Sequence, residues 1–600
     1  MNIINNIQSQ FKNLFNAPSS ESSPSTEEIE INVESNFKLP IEYLDKRDIK
    51  TLSPIVSNDL ELMTSIEQDS KTMYEHLLSP DDTFSKQMIE NWNKYFTVNT
   101  HFLQDTQHII KNMDTYKHAT DLEDYKNTSC ILKIWKNTKE TKSFLEKYNY
   151  MEWDSLKFLN NDSYFLQILF CIHMASPIIQ FCIPLLLLIF PFIILKVSGT
   201  PISVSVYVST LKKLASNHSI GKILFNIGTL EWDKIVYLLF TLGMYFFQIY
   251  QNIIVCKRFY KNIISINDDL YNLKQYTSYS IKSMNKFLEI TNGLENYKEF
   301  NETVVFHSKV LNALEIELDP INNFNLSFNK LTNVGYLLKM YHTVHINKEY
   351  ENSIIYSMGF EGFTSNLCKI HGFIEQGSLS FATFDKKGTC TFTGIYYPAI
   401  THINPVRNNI SMSKNKIISA PNKAGKTTII KTMLMNIIFT QQFGCGFYKS
   451  ANINPYSHIH SYLNIPDTSG RDSLFQAESR RCKEIINTIN DYEDERHFCI
   501  FDELYSGTNP EEAVQAGNAF IKYIEKFTNV DFILTTHYKN ICKTFQKSKR
   551  VENYKMKVIV NEDKTFKYFY KLVKGISDIK GGIRVLKDMD YPEEIINNIE

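Results

Sequence analysis

Hydrophobic and polar positions divide the chain into stretches of different period. Ile3, Ile4, Ile7, Phe11, Leu14 and Phe15 form a short helical stripe with Lys12 as its only charge. It lacks the form of a signal peptide and fits a frayed terminal helix better than a membrane or partner anchor. The acidic, Ser-rich stretch 17–36 buries too little to fold, so 1–54 is expected to be a disordered tail or linker. From 55 to 164 the apolar spacing is helical, with a Pro-Asp break at Pro80 to Asp82, and predicts a lever-like helical core. Phe165 to Leu195 then runs 31 residues without Asp, Glu, Lys or Arg, and Ile235 to Cys256 runs 22. Both exceed the roughly 18 to 20 residues that cross a hydrocarbon layer. A transmembrane hairpin over 165–256 is therefore expected, the alternative being two buried helices of a large helical domain. Pro177, Pro184 and Pro191 are expected to kink or break the first segment into a bent or re-entrant span.

Beyond Lys257, Phe259, Ile263, Ile266, Leu270 and Leu273 follow 4-3-4-3 spacing. They suit a coiled-coil arm or the inner face of a bundle. Five positions are few, which favours the bundle and makes 257–384 the second part of the helical core. From 385 to 600 strand-like runs alternate with helical ones, the pattern of an α/β layer fold.

Charge adds little: Lys plus Arg number 64 against 65 for Asp plus Glu, so any contact with nucleic acid must come from a local patch. The ten cysteines show no CxxC pair or ligand-like spacing, which argues against a disulfide framework or zinc site and for a reducing, cytosol-facing location.

Chemistry concentrates in three places. "SAPNKAGKTT" (419–428) lies between a strand-like run and a helix-like run. Backbone N–H groups across Asn422, Lys423, Ala424 and Gly425 can face phosphates, Lys426 can reach the β/γ oxygens, and Thr427, followed by Thr428, can offer its hydroxyl to Mg²⁺ at a helix start. Ala420 stands where the pattern places its first glycine, and strain is expected if that position needs positive φ. "FCIFDELYSGTNP" (498–510) ends an apolar strand in Asp502 and Glu503. An Asp at the end of the strand beside the phosphate loop can hold the Mg²⁺ shell, and the Glu can polarise an attacking water. "VDFILTTHY" (530–538) is a third strand, capped by His537 at the place of a γ-phosphate sensor.

Together "SAPNKAGKTT", "FDELYSGTNP" and "TTHY" resemble the ABC-type P-loop ATPase domain of the MutS mismatch-repair family. The likeness covers about 390–600, with a weaker echo at 73–96. "TQQFGCGF" (440–447) resembles the family's glutamine loop, which implies that Gln442 lies near the Mg²⁺. "SGRDSLFQAES" (469–479) resembles its signature segment, with Ser473, Phe475 and Glu478; a helix N-cap box is the alternative for Ser473 and Glu478. The resemblance implies ATP and Mg²⁺ as ligands. It also implies a homodimer or heterodimer through the ATPase domains, in which Ser473 reaches the partner's γ-phosphate, Glu503 aligns the water and His537 senses it.

Nothing in residues 1–70 resembles the family's mismatch-reading domain, and "FLE" (287–289) reads as helix packing. The apolar pair occupies the place where the family inserts its DNA-embracing clamp. Two functions stay open: a DNA-acting MutS-type ATPase of the mismatch-repair kind, or a membrane-anchored, ATP-switched machine that remodels or recruits a partner. A nucleotide-binding scaffold without turnover is the third. Localisation follows the first two: membrane-associated with the ATPase domain facing the cytosol, or soluble in cytoplasm or nucleus.

Overall fold

A computed structural model describes residues 36–66, 70–119, 128–139, 144–201, 203–216, 232–323, 332–386, 388–400, 405–463, 465, 473–561, 566–579 and 591–592. The N-terminal stripe and nearly all of the acidic stretch lie outside the described residues. Residues 37 to 54, expected to continue that tail, instead enter the core. Phe37, Leu39, Ile41 and Leu52 are buried, with the Phe37 ring against Phe300, Tyr356 and Phe363. Apolar positions two apart begin where the acidic residues stop, and that is enough to dock the segment.

Strand β1 (Ile49–Thr51) pairs antiparallel with β2 (Tyr95–Thr97). Helix α1 (Met73–Leu78) starts in a capping box between Thr72 and Glu75. Helix α2 (Thr83–Trp92) starts at Asp82, whose carboxylate accepts from the Ser85 N–H at 2.9 Å, so the Pro-Asp break is a helix start. Then follow α3 (Thr100–Lys111), α4 (Ser163–Val197), α5 (Val204–Ser216), α6 (Trp232–Ile290), α7 (Lys298–Leu318), α8 (Val334–Ile346) and α9 (Lys348–Glu375). Phe259, Ile263, Ile266, Leu270 and Leu273 are all buried where α6 lies against α4, α7 and α8, so their stripe is the inner face of a bundle. Phe287 of the "FLE" triplet packs among Phe300, Phe360 and Phe363.

The charge-free runs depart from expectation in one respect. α4 is one unbroken helix of 35 residues through all three prolines. Each proline forfeits one backbone hydrogen bond, and side chains of α6 donate to two of the carbonyls so freed. Both α4 and α6 are long and apolar enough to cross a membrane. Their outward faces along the charge-free runs are exposed: Ile178, Phe181, Phe246, Tyr250 and Ile253 are 67%, 57%, 59%, 58% and 51% exposed.

The C-terminal part is a layered α/β structure beginning at Ser380, slightly before the expected boundary. Its strands are β3 (Ser380–Phe384), β4 (Thr391–Ile395), β5 (Asn408–Ser411), β6 (Asn415–Ser419), β7 (Cys445–Gly446), β8 (Ser450–Ile453), β9 (His458–Tyr462), β10 (His497–Asp502), β11 (Val530–Thr536), β12 (Val551–Val560) and β13 (Phe566–Lys574). The six-stranded sheet has the order β13-β12-β6-β11-β10-β9, parallel throughout except for the β12–β13 hairpin. A five-stranded sheet, β5-β4-β8-β3-β7, lies beside it. Helix α10 (Lys426–Phe443) leaves β6 and is buried along nearly its whole length, in one apolar core shared with the helical part. Helices α11 (Leu474–Asp491) and α12 (Pro510–Ile524) enclose a second core with β9, β10 and β11. The sheet's near-continuous apolar strands follow from this cover.

Candidate functional site

The carboxyl ends of β6, β9 and β10 open into a cleft of about 600 Å³, the position where open parallel sheets hold ligands. Asn422, Lys423, Ala424, Gly425, Lys426, Thr427 and Thr428 all line it, with Asp502 and Glu503 opposite. The loop between β6 and α10 turns through left-handed φ at Lys423 (64°) and Gly425 (89°). Ala420 is not among the left-handed residues, so the strain expected there is absent; the turn is made three residues later. Gly425 caps the helix start, where N–H groups and the helix dipole favour an anion.

Lys426 is buried, and its Nζ lies 2.8 Å from Glu503 Oε1, 3.0 Å from the Ala420 carbonyl and 3.4 Å from Asn422 Oδ1. Thr427 Oγ1 donates to Asp502 Oδ2 at 2.6 Å, and Thr535 Oγ1 donates to Asp502 Oδ1. The strand carrying Asp502 is not beside the loop strand as expected: β11 stands between them. Register still brings the groups together, because Thr535 pairs with Asp502 on one side and Ile418 on the other, so all three strands end at one level. Glu503 takes φ 52°, a left-handed conformation costly for a side-chain-bearing residue, and its N–H is held by the Thr535 carbonyl at 3.0 Å. His537 Nδ1 lies 3.5 Å from the same Glu503 Oε1 that Lys426 contacts. The hydrogen bond to His537, then that to Lys426 and its charge, hold the Glu503 carboxyl down at about 2.

Hard oxygen donors at Thr427 and Asp502 suit a divalent cation such as Mg²⁺, and Lys426 with the helix start suits phosphate oxygens. Among the described residues no cluster of three His, Cys, Asp or Glu offers a separate metal site. A hydroxyl and one carboxylate are few ligands, as expected where phosphate and water complete the shell.

Two residues lie elsewhere. Gln442, implied to sit near the Mg²⁺, is fully buried at the far end of α10, about 22 Å of helix from Thr427. Its Nε2 donates to the carbonyls of Trp92 (2.7 Å) and Tyr95 (2.8 Å), and Tyr74 OH donates to its Oε1 (3.1 Å). It anchors α10 to the helical part, sharing the Trp92 carbonyl with the Tyr74 hydroxyl, which also donates to that carbonyl at 3.0 Å. Ser473 is exposed at the N-terminus of α11, where it forms a capping box with Gln476. Glu478 is not part of that box. Its carboxylate accepts from Ser506 N (3.0 Å), Ser506 Oγ (2.9 Å) and Gly507 N (3.1 Å), tying α11 to the loop after Glu503. Residues 469 to 472 of the signature-like segment lie outside the described residues.

Gly507 sits so close to α11 that an added Cβ would lie 2.7 Å from Leu474 Cγ and 2.8 Å from Phe475 N. Gly507→Ala should therefore cost about 1–3 kcal/mol by overpacking, seen as a lower thermal midpoint together with slower nucleotide turnover. Tyr570 was not singled out from sequence. It hangs over the loop from β13 at φ 53°, its ring 3.0 Å from where a Cβ on Gly425 would be, and lines the cleft. The aromatic run "FKYFYK" is the signal that marks it, an exposed ring being able to stack on a planar base.

A strand, a glycine-bearing turn and a helix that converge lysine, hydroxyl and paired carboxylates define a site suited to a phosphate chain with a divalent cation. Residues 416–600 match the family model described as MutS domain V. Among curated relatives, "DNA mismatch repair protein MutS" of Persephonella marina is 28% identical over 207 residues, 34% of this chain and 23% of that protein. "DNA mismatch repair protein MutS" of Parabacteroides distasonis is 27% identical over 199 residues, 32% and 22% of the two chains. "Endonuclease MutS2" of Clostridium kluyveri is 28% identical over 204 residues, 33% and 25%. These matches relate the C-terminal third of the chain to the MutS family; the matched part spans about a quarter of those relatives' length.

Proposed function

We propose that the chain is a MutS-type ATPase that binds ATP with Mg²⁺ in the cleft at the ends of β6, β9 and β10 and hydrolyses it. The observation that carries this is the convergence of Lys426, Thr427, Asp502 and Glu503 at the ends of three strands. Lys426 pairs with phosphate oxygens. Thr427 and Asp502 would hold the Mg²⁺, which would supply charge against that building on the phosphoryl oxygens. Glu503, ionised across the neutral range, accepts a hydrogen bond from the attacking water and fixes its line of approach, and His537 borders the same carboxylate oxygen. Ser473, exposed at the start of α11, would meet the phosphate of a second subunit, identical or related, so that nucleotide joins the dimer. Glu478 carries any movement of α11 to the loop behind Glu503. A DNA mismatch-repair role comes from the relatives' names and applies at the level of the family.

A second reading, a membrane-anchored ATP-switched machine that acts on a partner, is favoured by one observation: the apolar helices α4 and α6 are exposed rather than packed away. On it the ATPase part faces the cytosol. Full-length protein assayed for ATP hydrolysis with and without duplex DNA, alongside alkaline carbonate extraction of its membranes, separates the two. Duplex-stimulated turnover in extractable protein supports the DNA-acting reading. Carbonate-resistant protein indifferent to DNA supports the anchored one, and absence of Mg²⁺-dependent hydrolysis in either form overturns the shared ATPase assignment.

A further inference from the structure

The prolines of α4 stand at 177, 184 and 191, seven apart. A helical proline leaves the carbonyl four residues before it without its N–H, which here frees the carbonyls of His173 and Gln180 for Pro177 and Pro184. In water such a group is hydrated; in hydrocarbon it must find a donor inside the protein. Helix α6 supplies one for each. Cys256 Sγ lies 3.1 Å from the His173 carbonyl, and Tyr245 OH donates to the Gln180 carbonyl at 2.8 Å. Asn252 Nδ2 donates to the Gln180 side chain, and Ser176 Oγ lies 3.8 Å from Cys256 Sγ. Gln180 is the middle residue of the first charge-free run, and Tyr245 lies at the middle of the second.

These contacts lie on a seam. The 4-3 spacing that places Phe259 to Leu273 in the core continues backward through Cys256, Asn252, Ile249 and Tyr245, all half-buried. Their outward neighbours Phe246, Tyr250 and Ile253 are exposed. Polar pairs inside and oil outside are the inverse of a water-soluble coiled coil and the usual arrangement of helices packed in lipid.

We infer that α4 and α6 cross a lipid bilayer as one preassembled antiparallel hairpin. In it Tyr245 and Cys256 satisfy the carbonyls that Pro177 and Pro184 set free, and the seam runs unbroken from the acyl chains into the helical core. This rests on the membrane-anchored reading and adds to it how the span is built. At roughly 90 Å if straight, α6 joins bilayer and core in one element. A shift of the core is then passed into the lipid without a flexible joint.

The test is a cross-link in full-length protein in its membranes. Ser176→Cys, with Cys171 and Cys182 replaced by Ala, is oxidised with copper–phenanthroline against the native Cys256, and the connection between the helices is then cut by protease. The fragments should stay joined on a non-reducing gel in most molecules and part on reduction, while the same cut with Ile253→Cys and Cys256→Ala yields separate fragments. Tyr245→Phe, which removes only the hydroxyl, should lower the linked fraction at least twofold. Unlinked fragments in carbonate-resistant membranes overturn the hairpin and leave the anchor standing. Linked fragments in carbonate-extractable protein overturn the lipid placement and with it the anchored reading. An unchanged linked fraction in Tyr245→Phe overturns the role given to the hydroxyl.

Discussion

Glu503→Gln lowers steady-state ATP hydrolysis by about 100- to 1,000-fold while ATP affinity holds or rises. The carboxylate is the group placed to hold a water in line, but its Oε1 also faces Lys426 Nζ at 2.8 Å and His537 Nδ1 at 3.5 Å. The amide keeps the shape and loses the charge, so the lysine is less firmly held away from phosphate while the water loses its acceptor. Single-turnover hydrolysis together with equilibrium binding of ATP at fixed Mg²⁺ checks both halves. Unchanged turnover would remove Glu503 from the role of aligning the water. The same carboxyl fixes the sign of a pH effect. Its folded value, about 2, lies below the ordinary glutamate value of 4.5, so its contribution to stability is fully present above about 4.5 and is lost as pH falls toward 2. The difference in thermal midpoint between wild type and Glu503→Gln should be flat from pH 8 to 5 and shrink below about 4.5.

Lys426, Thr427, Asp502 and Glu503 were legible from sequence because each chemistry sits at the end of a short apolar strand, and both the strand and its end are local features. The order of strands is not local. β11 enters between β6 and β10 through pairings that neither motif encodes, and the site survives because three strands end at one level. Ala420 was judged by its place in a pattern, whereas the left-handed turn is made by Lys423 and Gly425. Composition alone does not say whether an apolar helix is covered by the rest of the protein; the exposure of Ile178 and Phe246 is a tertiary fact. The heptad stripe was read only from Phe259 onward because Tyr245, Asn252 and Cys256 break its apolar character, though they continue its geometry.

Gln442→Leu separates a motif's implication from what its position does. If this residue served the Mg²⁺, the substitution would slow hydrolysis and spare the fold. Its surroundings require the reverse. Two buried carbonyls, those of Trp92 and Tyr95, receive its amide protons, and the Tyr74 hydroxyl shares its oxygen. Leucine fills the volume and leaves the Tyr74 hydroxyl on the Trp92 carbonyl, but the Tyr95 carbonyl loses its side-chain donor and the hydroxyl its acceptor, at a cost of about 1–3 kcal/mol. The neighbouring Gln441 holds the Thr97 and Tyr456 carbonyls at 3.1 and 2.8 Å, so this end of α10 would loosen rather than detach. Thermal unfolding should therefore begin at a clearly lower temperature. Below that transition, ATP affinity should stay within about twofold of wild type, since the phosphate loop lies about 22 Å away along a helix that keeps its own hydrogen bonds. Unfolding followed by intrinsic fluorescence, with nucleotide titration at low temperature, measures both. A variant of normal stability that has lost Mg²⁺-dependent turnover would return Gln442 to the site.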